Sequence, residues 1–173
     1  PAVLLAALGR PVSADEGERI APWRFRAPLS PDLAAAREGR SIEFDELIAF
    51  SRAAVDCANG MLFIEGVGGI MVPIDPERTV LDWMAAIGIP VLLVVGGYLG
   101  TISHTLTALD VLATRHLKIA AIVVSESERN PVELDDTVAS IARFAHGAGV
   151  VGLPRLPGGI NQHPAFAKIA ALL

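Results

Sequence analysis

The chain has 173 residues, 52% of them hydrophobic and 19% charged, with a mean hydropathy of +0.49; such a composition supplies ample core material and excludes a disordered, solvated chain. Its apolar stretches, Ile89–Tyr98 and Ile119–Val124 among them, are short and broken by Gly, Pro or charge, well under the roughly 20 residues a membrane-spanning helix requires. A net charge of −5 with scattered basic residues argues against a nucleic-acid binder, and a single cysteine, Cys57, excludes an internal disulfide or a multi-cysteine metal site. A single cytoplasmic α/β domain over residues 1–173 is the expectation. Pro1–Leu8 lacks the basic start of a signal peptide, and the chain does not begin with Met.

In chain order, Ala2–Leu8 reads as the end of a helix stopped by Gly9 and Pro11. Val12–Ile20 is polar and reads as loop, and the proline-punctuated stretch from Trp23 to Pro31 as ordered but irregular. Pro31–Glu38 fits a short helix ended by Gly39. Glu43–Ala58 is an amphipathic helix with Phe44, Leu47, Ile48, Ala54 and Val55 near one face. Met61–Ile64 is a short apolar run that reads as a strand, ending at Glu65 and the turn Gly66-Val67-Gly68-Gly69. Helices are expected over Thr79–Ile87, Thr101–Arg115, Val132–His146 and Pro164–Leu173. Apolar strands are expected over Pro90–Val95, Ile119–Val124 and Val150–Leu153. Short strands that are apolar throughout belong in a parallel sheet covered on both faces, with helices as the crossovers. The expected fold is therefore a doubly wound, mostly parallel α/β sheet.

Ligands of such sheets sit beyond the carboxyl ends of the strands, so the residues to weigh follow Ile64, Val95, Val124 and Leu153. Glu65 leaves an apolar run into a glycine turn. It reads equally as a magnesium ligand facing phosphate and as a carboxylate satisfied by the turn itself. Gly66, Gly68 and Gly69 allow close backbone approach, which alone is weak evidence. The run Gly96-Gly97-Tyr98-Leu99-Gly100-Thr101-Ile102-Ser103-His104 starts a helix at once beyond a strand. Its N–H groups suit an anion such as a carboxylate, although Thr101 as a plain cap is the more economical reading. Ser125-Glu126-Ser127-Glu128 and Gly152-Leu153-Pro154-Arg155-Leu156 end the next two strands, and either is compatible with a nucleotide or with an ordinary polar loop. No GxxxxGK[ST] loop, nucleophile elbow or zinc-spaced histidine set occurs in the chain.

The run Ile64-Glu65-Gly66-Val67-Gly68-Gly69-Ile70-Met71-Val72-Pro73-Ile74 resembles the V-E-G-A-G-G-x-x-x-P-L signature of dethiobiotin synthetases. Downstream, Asp82-Trp83, then Pro90-Val91-Leu92-Leu93-Val94-Val95, then Leu99-Gly100-Thr101-Ile102-Ser103-His104-Thr105-Leu106-Thr107 resemble the family's L-G-x-I-N-H-x-x-L-T region in order. Upstream, Phe25-Arg26-Ala27-Pro28-Leu29-Ser30-Pro31 and Glu38-Gly39-Arg40 resemble its F-x-x-P-x-S-P and E-G-R landmarks. The resemblance covers nearly the whole chain. It implies a P-loop NTPase-like sheet, a homodimer, and an ATP- and Mg²⁺-dependent ligase of biotin biosynthesis that joins CO₂ (or bicarbonate) to 7,8-diaminononanoate. An amine carbamate would be phosphorylated by ATP and closed to a ureido ring by the second amine.

By the same resemblance Glu65 would ligate magnesium at the nucleotide, and Gly68 and Gly69 would line the diamine site. Leu99, Gly100, Thr101 and Ser103 would receive the substrate carboxylate from the partner subunit. Ser125 and Gly152, Leu153, Pro154, Arg155 and Leu156 would border adenine. Two departures stand out. The family's P-loop, with its Lys and Mg-binding Thr, is absent, as are a second Lys and a magnesium Asp, so about 50 residues, a βα unit and a second strand, are expected upstream of Pro1. Without them the chain is expected to be inactive, since phosphoryl transfer rests on positioning and charge neutralisation. Ser125 also stands where the family often has Asn, and one hydroxyl offers less than a paired donor and acceptor, so looser nucleotide selectivity is expected. The alternatives are another P-loop relative, such as a cobyrinate amidating synthetase or a ParA/MinD-like ATPase, and a non-catalytic dimerising protein.

Overall fold

A computed structural model describes residues 1–157 and 162–173. The chain divides into two compact units, Pro1–Trp83 and Met84–Leu173. No helix among the described residues is long and apolar enough to cross a membrane.

The first unit carries helices α1 (Ala2–Ala7), α2 (Ala14–Ile20), α3 (Pro31–Arg37) and α4 (Phe44–Asp56), and the start of α5 (Val80–Ile87). Gly9 and Gly39, at φ +65° and +64°, end α1 and α3 as expected. α4 buries Phe44, Leu47, Ile48 and Ser51, so its apolar stripe is real although Ala54 and Val55 are only half-buried. Ser51 Oγ donates to Leu47 O at 2.8 Å and accepts Trp83 Nε1–H at 3.0 Å, which satisfies a hydroxyl that is 2% exposed.

Two readings of this unit are corrected. Residues 14–20, read as loop, are helical. Ser13 caps α2 by accepting the Glu16 N–H at 3.2 Å, and Glu16 pairs with Arg10 and, at 2.9 Å, with Arg19. The spacing Ser13-x-x-Glu16 is the first half of a capping box, and it outweighs the polarity of the segment. Met61–Ile64, read as a strand, belongs to no ladder among the described residues. Met61 and Phe63 are 66% and 64% exposed while Leu62 and Ile64 are half-buried. The period-two alternation is that of a strand, but a strand also needs a neighbour to take its N–H and C=O groups.

The second unit is the sheet. β1 (Val91–Gly96), β2 (Ile119–Ser125) and β3 (Gly149–Leu153) lie side by side in that order and are parallel throughout. They are linked by α6 (Thr101–Thr114) and α7 (Leu134–Ala142), and α8 (Pro164–Ala170) follows β3. β2 is the middle strand, and Ala121, Ile122, Val123 and Val124 are each at most 3% exposed. A strand hydrogen-bonded on both edges and covered on both faces has no polar side, which is why its sequence is an unbroken apolar run. The open parallel α/β sheet expected from the sequence is thus present. α7 is shorter than the helix expected over Val132–His146. Glu133 is its N-cap, and the chain turns away after Ala142 into a bend where His146 and Gly147 take φ +50° and +91°. Left-handed backbone at two successive residues is incompatible with a continuing helix.

Candidate functional site

In a parallel sheet all the strands exit on the same edge, so register decides which exits are neighbours. Gly96 of β1 pairs with Ser125 of β2, and Ser125 pairs with Leu153 of β3. Three of the segments singled out in the sequence therefore leave the sheet in one row.

Beyond β1 the turn Gly97–Gly100 closes with Thr101 N–H donating to Tyr98 O at 3.1 Å, and Gly100 caps α6 at φ +95°. That conformation is natural to glycine and lets α6 begin with no spacer. Thr101 is 4% exposed, and its hydroxyl donates to Gly96 O at 2.5 Å. Both of its donors are thus spent inside the turn, making it a brace for the strand exit. The first intrahelical bond here is His104 N–H to Gly100 O, 3.0 Å, so the Ile102 and Ser103 N–H groups lie ahead of it and face out of the helix end. Ser103 is exposed and Leu99 is 86% exposed. Tyr98 Oη and His104 Nδ1 lie 3.0 Å apart across the turn.

Beyond β2, Glu126, Ser127 and Asn130 form a network that sequence reasoning passed over as a polar loop. Gly97 N–H donates to Ser127 Oγ at 2.9 Å, Ser127 N–H to Asn130 Oδ1 at 3.0 Å, and Asn130 Nδ2 to Glu126 Oε1 at 3.1 Å. Glu126 Oε2 accepts the Arg155 N–H at 2.8 Å, and Glu126 N–H donates to Leu153 O at 2.9 Å. The exits of all three strands are joined by these bonds. The available signal was a run of short polar residues starting directly at a strand end and closing on Asn-Pro, a pattern in which side chains satisfy backbone groups. Ser125 is half-buried at the row's centre. Gly152 in β3 packs closely under α7: a Cβ there would lie 3.2 Å from Val138 Cγ2 and 3.3 Å from Leu134 Cδ2, so those side chains would have to give slightly. Pro154 and Leu156 are half-buried, and Arg155 is exposed.

In the first unit, Glu65 is exposed and opens the loop of residues 66–79. Two carboxylates hold the base of this loop. Asp75 accepts the N–H groups of Glu77 and Arg78 at 2.9 and 2.7 Å and the Arg78 Nε–H at 2.7 Å. Burial alone would push its carboxyl up, but these N–H groups and the Arg78 charge outweigh it and hold it below its ordinary value. Asp82 accepts both Thr79 donors, N–H at 2.9 Å and Oγ1–H at 2.8 Å, which caps α5. Across the loop, Val80 N–H reaches Val72 O at 2.9 Å and Leu81 N–H reaches Ile70 O at 2.7 Å. Gly68 sits at φ +76° with Val72 Cγ2 2.8 Å from where a Cβ would be, whereas a Cβ on Gly69 would meet nothing within 4 Å. Glu65, Gly68 and Gly69 thus occupy one ordered loop, while Leu99, Gly100, Thr101, Ser103, Ser125 and residues 152–156 share the sheet edge of the second unit. No group of three or more His, Cys, Asp or Glu able to hold a metal ion occurs among the described residues.

A family model described as an AAA domain matches residues 10–164. The chain is 52% identical over 142 residues to the ATP-dependent dethiobiotin synthetase of Acidiphilium cryptum, covering 82% of this chain and 64% of that protein. It is 49% identical over 156 residues to the enzyme of the same name from Caulobacter vibrioides (90% of this chain, 69% of that one). The chain belongs to the dethiobiotin synthetase family. More distant members match along the same stretch, as does the Anaeromyxobacter dehalogenans protein at 35% identity over 158 residues. The chain spans about two thirds of the length of these dethiobiotin synthetases, 64% in the Acidiphilium case. Membership accounts for the order of motifs from Phe25 to Thr107 and agrees with the parallel α/β sheet.

Proposed function

We propose that this chain is the larger part of an ATP-dependent dethiobiotin synthase. The reaction joins CO₂ to 7,8-diaminononanoate in biotin biosynthesis: one amine nitrogen adds to the carbon of CO₂, and a carbamate oxygen attacks the γ-phosphorus and displaces ADP. The second amine then attacks the carbonyl carbon and expels phosphate as the ureido ring closes. The observation that carries the reading is 52% identity to a dethiobiotin synthetase across 82% of the chain. The in-register row Gly96–Ser125–Leu153 is compatible with it, since ligands of such sheets sit beyond the carboxyl ends of the strands.

The roles are those the family resemblance implies, and local chemistry is compatible with them. The outward N–H groups at the start of α6, framed by Leu99, Gly100, Thr101 and Ser103, suit the substrate carboxylate. The 86% exposure of Leu99 fits its being offered to the partner subunit of a homodimer. Ser125 and Gly152, Leu153, Pro154, Arg155 and Leu156 border the adenine. Gly69, open on its side-chain face, and Gly68 line the diamine site. Glu65 is a single exposed carboxylate, a donor set that fits Mg²⁺ sharing its remaining positions with phosphate and water. When bound, the metal neutralises phosphate charge. No Walker A sequence lies in these 173 residues, so the reading requires a phosphate cradle and its lysines from outside them, and the 173-residue chain alone is expected to be inactive. A single cytoplasmic α/β domain over residues 1–173 remains part of this reading.

The test is ADP release by the protein at its natural length, supplied with Mg·ATP and bicarbonate, with and without 7,8-diaminononanoate. Release that depends on the diamine, with Glu65→Gln raising the Mg²⁺ concentration needed for half-maximal rate, is expected. ADP release indifferent to the diamine would instead favour another P-loop ATPase.

A further inference from the structure

We infer that Glu126 is a positioning residue for the nucleotide, acting through the backbone of residues 153–155; the inference rests on the proposed adenine role of that segment. The β2–β3 ladder ends at the pair Ser125–Leu153, and the next residue of β3's exit, Pro154, has no N–H to offer. Beyond that point Glu126 holds the chain from both sides of Pro154. Its N–H grips Leu153 O at 2.9 Å and its Oε2 takes Arg155 N–H at 2.8 Å. The two bonds straddle Pro154, so the segment is clamped on both sides. The second carboxylate oxygen is held by Asn130 Nδ2 at 3.1 Å, and the orientation of that amide is set because Asn130 Oδ1 receives Ser127 N–H at 3.0 Å.

Glu126 therefore faces two N–H donors and needs two acceptor oxygens. A glutamine of the same size supplies one oxygen and one NH₂, which must oppose a donor, while turning Asn130 over would sacrifice its bond to Ser127. Glu126→Gln thus loosens the clamp without removing volume. In the natural-length protein it is expected to raise KM for ATP about tenfold, the worth of one hydrogen bond to a charged group. KM for the diamine and kcat are expected to stay within about twofold of the unsubstituted protein. A general structural role would instead lower the melting temperature and the active fraction together and leave KM alone. An unchanged KM for ATP in an active Glu126→Gln protein overturns the inference. Amide exchange on the unsubstituted protein is a second measurement that needs no variant to fold. Arg155 N–H must exchange much more slowly than the N–H of exposed Glu128, and equal rates overturn the clamp. If the unsubstituted protein shows no diamine-dependent ADP release, the proposed reaction fails, and the exchange of Arg155 still decides on the clamp.

Discussion

Two glycine-rich turns, the loop after Glu65 and the turn after β1, look alike in sequence and are built on opposite principles. The loop after Glu65 is held from its base, by Asp75 and Asp82 accepting backbone N–H groups, and leaves Gly69 in open space. The turn after β1 is held by contact: a Cβ on Gly97 would lie 2.3 Å from Asn130 Oδ1 and one on Gly96 would lie 2.9 Å from Tyr98 Cδ1. Gly69 leaves room for something else, although Gly68 beside it is packed on Val72, whereas Gly97 lets the protein's own loops touch.

Substitutions break this contrast in a definite order. Gly97→Ala should be the most damaging, at about 3 kcal/mol, because the amide it strikes is bound on both of its ends and cannot step aside. A thermal melt reads this as a large fall in midpoint, and a loss under about 1 kcal/mol would mean the Ser127–Asn130 loop yields easily. Gly68→Ala should cost less, about 1–2 kcal/mol, from its positive φ and from a Val72 methyl that can rotate away. Denaturant midpoints rank the two.

Asp75→Asn comes next, at about 1 kcal/mol, and carries a pH signature. A carboxyl held below its unfolded value contributes stability above that value and loses it as pH falls through the folded one. The unsubstituted protein should therefore lose this contribution on acidification below about pH 4. Asp75→Asn should show no such loss at this position, so the gap between the two should close in acid-titrated melts. A constant gap from neutral to acidic pH would remove the loop's electrostatic support. Ser125→Asn should leave stability alone and sharpen the preference for ATP over GTP and CTP by several-fold in turnover; strict ATP preference before the substitution ends the idea of looser selectivity. Gly69→Ala should be the mildest on folding, within about 0.5 kcal/mol, so any rise it causes in KM for the diamine reports contact with substrate.

How much of this the sequence foretold depends on the range of the interaction. β2 was legible because burial on both faces leaves an unmistakable apolar run, and α1 and α3 were legible because glycine at a left-handed position stops a helix locally. α2 was missed because its signal is a cap, Ser13 to Glu16, and not a hydrophobic period. Met61–Ile64 was misread because a short apolar run reports hydrophobicity and not pairing. The candidate site divides the same way. Glu65 and the Leu99–Ser103 turn could be named from their motifs. The polar run closing on Asn130 signalled a self-bonded loop, but the clamp role of Glu126 could not be named, since its bond to Arg155, 29 positions away, exists only once β2 and β3 are in register. The bond of the Thr101 hydroxyl back to Gly96 O is of the same kind.

The chain's two tryptophans, Trp23 and Trp83, both fall within residues 1–83, and its single tyrosine, Tyr98, lies in the sheet-bearing half. Indole emission is thereby a private optical channel for residues 1–83, with Trp83 hydrogen-bonded to buried Ser51 as one of its two reporters. Far-ultraviolet dichroism of the whole chain can then be followed against it, and unfolding of one half before the other would show as two curves that fail to superimpose.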